Sequence, residues 1–118
     1  MSILKELLEK VENDTIMNDE LILLLNQENY RVVIAAMFKL IERKYCDELI
    51  INRLVQLSGR LNNNKFIGPW QIGHVAIATL KLVEDEKANK EYNIIMNQID
   101  DLNQFLVDNF IKSKGYIK

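Results

Sequence analysis

The chain has 118 residues, of which 48% are hydrophobic and 27% charged, and its formal net charge is −2 at pH 7. This length is that of one domain, and the hydrophobic content excludes the composition of a disordered chain. This near-neutral charge balance disfavours nucleic-acid binding, because it offers no basic surface to a polyanion, but it does not exclude it. We therefore predict one folded domain over residues 1–118.

Cysteine usage and hydropathy bear on the compartment. Cys46 is the single cysteine, so no disulfide can form within the chain. The sequence begins directly with an amphipathic pattern and has no apolar run of about 18 residues, so we expect neither a signal peptide nor a membrane span. These features predict a cytoplasmic protein, and the many Asn, Lys and Ile residues resemble the usage of low-GC bacteria.

The first part of the chain has the helical period, because apolar residues recur three and four positions apart. A first helix is predicted over about 2–11 with Ser2 as its N-cap, and a short second helix begins near Asn18. The third, over about 30–43, is apolar around most of its circumference, which predicts that other elements cover it on several sides. No segment alternates, so no strand is predicted.

Three further helices follow in the prediction. The fourth opens with Asp47 as its N-cap and stops at 62–64, with Arg53 facing outward. The fifth begins with Pro69 at its first helical position, where the missing N–H costs nothing, and continues to about residue 83. The sixth covers about 89–111 and has the strongest amphipathic pattern.

The third and fifth helices repeat one another at an offset of forty residues. The alignment places Tyr30 on Trp70, Val32 on Ile72, Ala36 on Ala76 and Leu40 on Leu80. Small residues at such positions let helices approach closely, as stacked helix pairs require, because one hairpin cannot bury its apolar face alone. The pattern indicates helical repeats.

Over residues 18–83 this pattern resembles the HEAT-repeat family, whose second helices carry paired small residues such as Ala35 and Ala36. Val33 and Gly73 depart from the Arg that is frequent in the family at their position. The resemblance implies an all-α fold, a short right-handed α-solenoid of about two HEAT-like hairpins flanked by capping helices. With the helices predicted above, about six are expected in all.

The residues that could carry chemistry favour structural roles. His74 is the single histidine, expected on the surface or in a groove, and it cannot complete a His pair for a metal. Cys46 is expected to have a raised thiol pKa beside Asp47. Adjacent carboxylates are explained as helix caps or solvated faces, and the stretch 68–73 lacks the Lys-Ser/Thr of a phosphate loop. We expect no catalytic residue, metal or cofactor.

Polar side chains on the third and fifth helices are the candidates for partner binding, because the HEAT resemblance implies that these helices line the concave side. Gln71, His74 and Lys81 are spaced to share one face of the fifth helix, although solvated faces are the alternative. The full set of candidates is Arg31, Lys39, Trp70, Gln71, His74 and Lys81.

The resulting hypothesis is a non-catalytic protein–protein interaction module, such as a small regulator or an immunity-type inhibitor. One alternative is a nucleic-acid-binding or DNA-repair-like HEAT protein, although the chain lacks a basic run. A second alternative is a self-assembling structural protein, for example a homodimer formed through the third or sixth helix.

Overall fold

A computed structural model describes residues 3–61 and 66–117, with only the backbone described at 66 and 67. The all-helical class predicted from the sequence is confirmed, and the described residues contain seven helices and one short pair of strands. The helices are α1 (Ile3–Glu12), α2 (Asn18–Leu25), α3 (Tyr30–Arg43), α4 (Glu48–Ser58), α5 (Ile72–Leu82), α6 (Glu86–Gln98) and α7 (Asp101–Ser113), and the strands are β1 (Phe66–Ile67) and β2 (Trp70–Gln71).

The segment before α5 is a hairpin, so the prediction that Pro69 opens the fifth helix is wrong. Strands β1 and β2 pair antiparallel, with Ile67 opposite Trp70 across a two-residue turn. Gly68 has φ +61°, which glycine adopts at little cost, and the Pro69 ring fixes a negative φ, as type II′ hairpin turns require. The Gly-Pro pair therefore marks a strand turn, and the expectation of no strand is wrong as well.

The predicted sixth helix is two helices, α6 and α7. Asp100 accepts a hydrogen bond from the backbone N–H of Asn103 and caps the start of α7. Gln104 donates its side-chain amide to the carbonyls of Met96 (2.7 Å) and Ile99 (3.2 Å), which closes the end of α6. The apolar spacing of three and four continues across this break, so the sequence pattern did not separate the two helices.

Helix α4 starts where the sequence predicted and ends earlier. Asp47 accepts the N–H of Ile50 at 2.9 Å, which confirms it as the N-cap. The helix ends at Ser58 with Gly59 as its C-cap, and the predicted stop at 62–64 lies outside the described residues, as does the Ser2 cap. Arg53 is buried and donates to the carbonyl of Leu25 at 2.7 Å, so its predicted outward orientation is wrong.

Helix α5 lies at the centre of the fold, in contact with α3, α4, α6 and α7. Among the other helices, α2 packs on α4 and α4 on α6, while α1 packs on α2 and α3. The residues that the forty-residue offset aligns in α3 and α5 lie in the core of both helices. The aligned residues Val32, Ala36 and Leu40 of α3 and Ile72, Ala76 and Leu80 of α5 are all at most 1% exposed.

Candidate protein-binding cleft on helix α3

One stripe of α3 remains partly open although the rest of the helix is covered. Val33, Met37 and Leu40 are fully buried. The open stripe recurs every three or four residues and consists of Arg31, Ile34, Ala35, Phe38 and Glu42, which line a cleft. It extends about 16 Å along the helix, at 1.5 Å per residue. The sequence correctly predicted cover on several sides of this helix.

The two walls of the cleft come from opposite ends of the chain. Val11, Glu12 and Asp14, at the end of α1 and in the turn after it, form one wall. Tyr116 and Ile117, after α7, form the other. The cleft is partly open to solvent and has a volume of about 780 Å³, which is in the size range of pockets that take up a small ligand or several side chains.

Aromatic packing places the C-terminal segment at the cleft. The ring of Phe110 on α7 is fully buried and lies 6.3 Å from the ring of Phe38 and 5.9 Å from that of Tyr116, measured between centroids. It also meets Trp70 edge-on at 5.1 Å. Aromatic pairs at these distances contribute beyond simple area burial, so this cluster orders α7 and the residues after it against α3.

Ion pairs fix the wall formed by the α1–α2 turn. Lys39 pairs with Asp14 at 3.1 Å and also with Glu42, while Arg43 pairs with Asp14 at 2.9 Å. Hydrogen bonds from Arg43 and then Lys39 lower the pKa of the Asp14 carboxyl. Burial lowers the pKa of Lys39, but its bonds to Glu42 and Asp14 outweigh this and raise it. These charges are therefore neutralised within the fold.

Two cations at the cleft have no such neutralisation. Arg31 and Lys114 are exposed, and within the described residues no ion pair joins either of them to a carboxylate. Glu12 on the α1 wall is also exposed. The cleft thus combines an apolar floor, contributed by residues such as Ile34 and Phe38, with an edge that carries two cations and one carboxylate outside any ion pair among the described residues.

The structure does not gather the residues predicted to bind a partner at one place. Arg31 and Lys39 line the cleft, with Lys39 largely buried in its ion pairs. Lys81 is exposed elsewhere, with its ammonium 5.1 Å from the centre of the Tyr92 ring. Gln71 lies in β2 rather than on a helix face. The shared face predicted for the fifth helix is therefore not formed.

His74 is buried between α5 and α7, so the expectation of a surface or groove histidine is wrong. It is 1% exposed. Its Nδ1 accepts the backbone N–H of Gln71 at 3.0 Å, which leaves the ring proton on Nε2, 2.7 Å from Oδ1 of Asn103. Burial lowers the pKa of the imidazole, and Asn103 and Asp100 oppose this. The ring is neutral, and both of its nitrogens are engaged.

Trp70 and Cys46 also have structural environments. Trp70 packs on Phe110, and its enclosed indole N–H has no hydrogen-bond partner. Burial, with Asp85 and Asp47 nearby, raises the pKa of the Cys46 thiol to about 12, which confirms the direction predicted from the sequence. A thiol of this kind is a poor nucleophile at neutral pH.

Sequence reasoning missed most of the cleft, including Ile34, Phe38, Tyr116 and Ile117. One feature of the sequence indicated an additional covering surface. Helix α3 is apolar around most of its circumference, and two neighbouring helices do not cover so wide an apolar surface.

In residues 3–61 and 66–117 there is no group of three or more His, Cys, Asp or Glu side chains that could hold a metal ion. Over the same part of the chain, no helix is long and apolar enough to cross a membrane. No protein-family model, curated protein or solved structure matches the sequence or the fold.

Proposed function

We propose that this chain is a non-catalytic protein-binding module and that the cleft on α3 is its docking site. The observation that carries the proposal is the partly open stripe of α3, in which Ile34 and Phe38 lie between charged edges in a cleft of about 780 Å³. Grooves of this form take up the apolar face of an amphipathic helix, with anchors spaced three and four residues apart. A stripe about 16 Å long matches about three helical turns of such a partner.

The proposed architecture is a short HEAT-like α-solenoid capped by α1. The contacts support it, because α2, α4 and α6 follow one another in one layer and α3, α5 and α7 in a second. Helix α2 also packs on α3 and α4 on α5, as the two proposed repeat hairpins require. The cleft then lies at the first unit, where α1 does not completely cover the second helix.

The proposal of a binding rather than a catalytic role is supported by the environments of the two most reactive side chains. Both ring nitrogens of His74 have partners, and burial lowers its pKa. The raised pKa of Cys46 keeps its thiol protonated. We accordingly propose a small regulator or immunity-type inhibitor acting by contact in the cytoplasm, without a metal or cofactor.

The experiment is affinity capture from the native host with three baits, namely the wild type, Ile34→Glu and Asn93→Glu. Ile34→Glu puts a charge on the apolar floor, while Asn93 is an exposed residue of α6 outside the cleft and serves as the matched control. We expect a stoichiometric protein that the wild type and Asn93→Glu retain and Ile34→Glu loses. A partner other than the chain itself that all three baits hold equally would refute the cleft as the docking site.

Folding of each bait is checked by circular dichroism and thermal unfolding before capture. The nucleic-acid alternative is tested with the same three proteins at low salt. Low salt is used because electrostatic binding is strongest there. Binding of nucleic acid that Ile34→Glu abolishes and Asn93→Glu retains would replace the protein-binding proposal.

A further inference from the structure

We propose that the occupant of the cleft is helix α7 of a second copy of this chain, which presents an acidic apolar stripe to the α3 stripe. The proposal rests on the proposed function, since it assigns the partner of the same docking site. It adds a second surface, built from Leu102 and Phe105 with the nearby carboxylates Asp101 and Asp108.

The outer side of α7 exposes two large apolar side chains. Leu102 is 66% exposed and Phe105 is 62% exposed, whereas Val107 and Phe110 on the inner side are fully buried. Leu102 and Phe105 are three residues apart, so they lie on one side of the helix. A single exposed apolar residue needs no explanation, but two large ones side by side form a surface that gains from being covered.

The charges beside the two surfaces are complementary. Asp101 and Asp108 are exposed on α7, seven residues apart and therefore aligned along the helix. The cleft has Arg31 and Lys114, which form no ion pair with a described carboxylate, against the single exposed carboxylate of Glu12 that has no ion pair with a described cation. Opposite charges beside an apolar contact favour one partner and one orientation, and they speed association.

The contact is intermolecular because α7 is already committed within its own chain. Its inner side packs on α5, and Phe110 stacks against Phe38 of α3, which leaves Leu102 and Phe105 on the side away from this packing. The exposed part of α7 from Asp101 to Asp108 is about 10 Å long and fits along the stripe of about 16 Å on α3. Two different surfaces of one chain therefore meet in the assembly.

A contact between two different surfaces allows a test by complementation. The proteins are the wild type, Ile34→Glu, Phe105→Glu and the control Asn93→Glu, studied by sedimentation velocity over a wide range of concentrations. We expect the wild type and Asn93→Glu to associate as concentration rises, and each of the other two variants to be monomeric. A charge introduced on either surface should raise the dissociation constant of self-association at least about tenfold.

The equimolar mixture of Ile34→Glu and Phe105→Glu is the decisive sample. One variant keeps an intact cleft and the other an intact α7 stripe, so the mixture should form a species of two copies although neither protein does so alone. A monomeric wild type, association that neither variant weakens, or a mixture that stays monomeric would each overturn the proposal.

The outcomes also separate this proposal from the proposed function. A wild type that is monomeric at every concentration, but captures a foreign protein through an Ile34-dependent contact, overturns self-association and leaves the docking site intact. Self-association and capture that are both insensitive to Ile34→Glu overturn both proposals.

Discussion

The imidazole Nε2 of His74 lies 2.7 Å from the side-chain oxygen of Asn103 and joins the buried helix α5 to α7. The ring must be neutral for its second hydrogen bond, because Nδ1 accepts the backbone N–H of Gln71 and cannot carry a proton at the same time. Helix α7 in turn places Phe110 against Phe38 at the cleft. A buried histidine remote from the cleft therefore helps to position one of its walls.

We predict that acid weakens the fold through His74. Its pKa in the folded state is lowered from 6.5, so the unfolded chain binds the proton more readily as the pH falls below 6.5. The free energy of unfolding should therefore be maintained above this pH and decrease below it, by at most about 1.4 kcal/mol per pH unit. Urea unfolding between about pH 7 and pH 5 measures the slope.

The matched variant for this prediction is His74→Gln, whose side chain has a carbonyl and an amide but does not titrate. Its stability at neutral pH should be lower, yet its profile over the same range should be nearly flat. The carboxylates Asp14 and Glu20 have lowered pKa values and lose their stabilising ionised form only in more acidic solution. A wild-type profile as flat as that of His74→Gln would contradict this role of the ring.

Substitution by alanine should have opposite effects at Gly73 in α5 and at Gly59, which follows α4. A Cβ at Gly73 would lie 2.7 Å from the carbonyl oxygen of Arg60 and 2.8 Å from a methyl of Leu61, and backbone cannot easily yield. We expect Gly73→Ala to destabilise by about 3 kcal/mol, as overpacking does.

Gly59 supplies the control because a Cβ there meets its nearest atom at an ordinary 3.6 Å, and its backbone is already in the right-handed helical region. Gly59→Ala should be neutral or stabilising by about 0.5 kcal/mol, because alanine lowers the entropy of the unfolded chain. Thermal unfolding of the two variants gives both values. Equal effects of the two substitutions would mean that α5 and the end of α4 are not in close contact.

The thiol of Cys46 should react slowly in the folded protein. A pKa of about 12 instead of 9.0 leaves about a thousandfold less thiolate at neutral pH, and the higher nucleophilicity of a more basic thiolate recovers part of this loss. We expect modification by a disulfide reagent to be about fiftyfold slower than in the urea-unfolded chain. Equal rates in the two states would show that partial burial and the nearby carboxylates do not protect the Cys46 thiol.

The core of the fold could be read from the sequence because helical spacing reports which residues face inward. Three of the four pairs aligned by the offset of forty residues, among them Ala36 with Ala76, are buried, whereas Tyr30 and Trp70 are half-buried and Trp70 lies in β2. Side-chain caps were equally readable where a short acidic residue precedes a helix, as at Asp47.

Helix boundaries and the burial of polar side chains could not be read in the same way, since each depends on a particular side-chain hydrogen bond. The break between α6 and α7 relies on Gln104, whose amide satisfies carbonyls at the end of α6. Arg53 is drawn inward by the carbonyls of Leu25 and Gln27, and His74 by Asn103. A pattern of apolar spacing contains no information about such partners.

The cleft was the hardest part to predict because its surfaces are far apart in the sequence. The sequence predicts Arg31 and Lys39 as exposed polar residues of α3, and both line the cleft, although Lys39 is engaged in ion pairs. The walls at Asp14 and Tyr116 come together only through ion pairs and aromatic stacking that tertiary folding creates.

Site-specific photo-crosslinking in living cells of the native host tests the docking site most directly. A photoreactive phenylalanine analogue replaces Glu12, which is exposed on the α1 wall of the cleft, and in a second strain it replaces the α6 residue Asn93. We predict a discrete protein adduct from position 12 that disappears when Ile34→Glu is added, and none from position 93. Adducts from position 93 alone, or from position 12 regardless of Ile34→Glu, would contradict the assignment of the α3 cleft as the docking site.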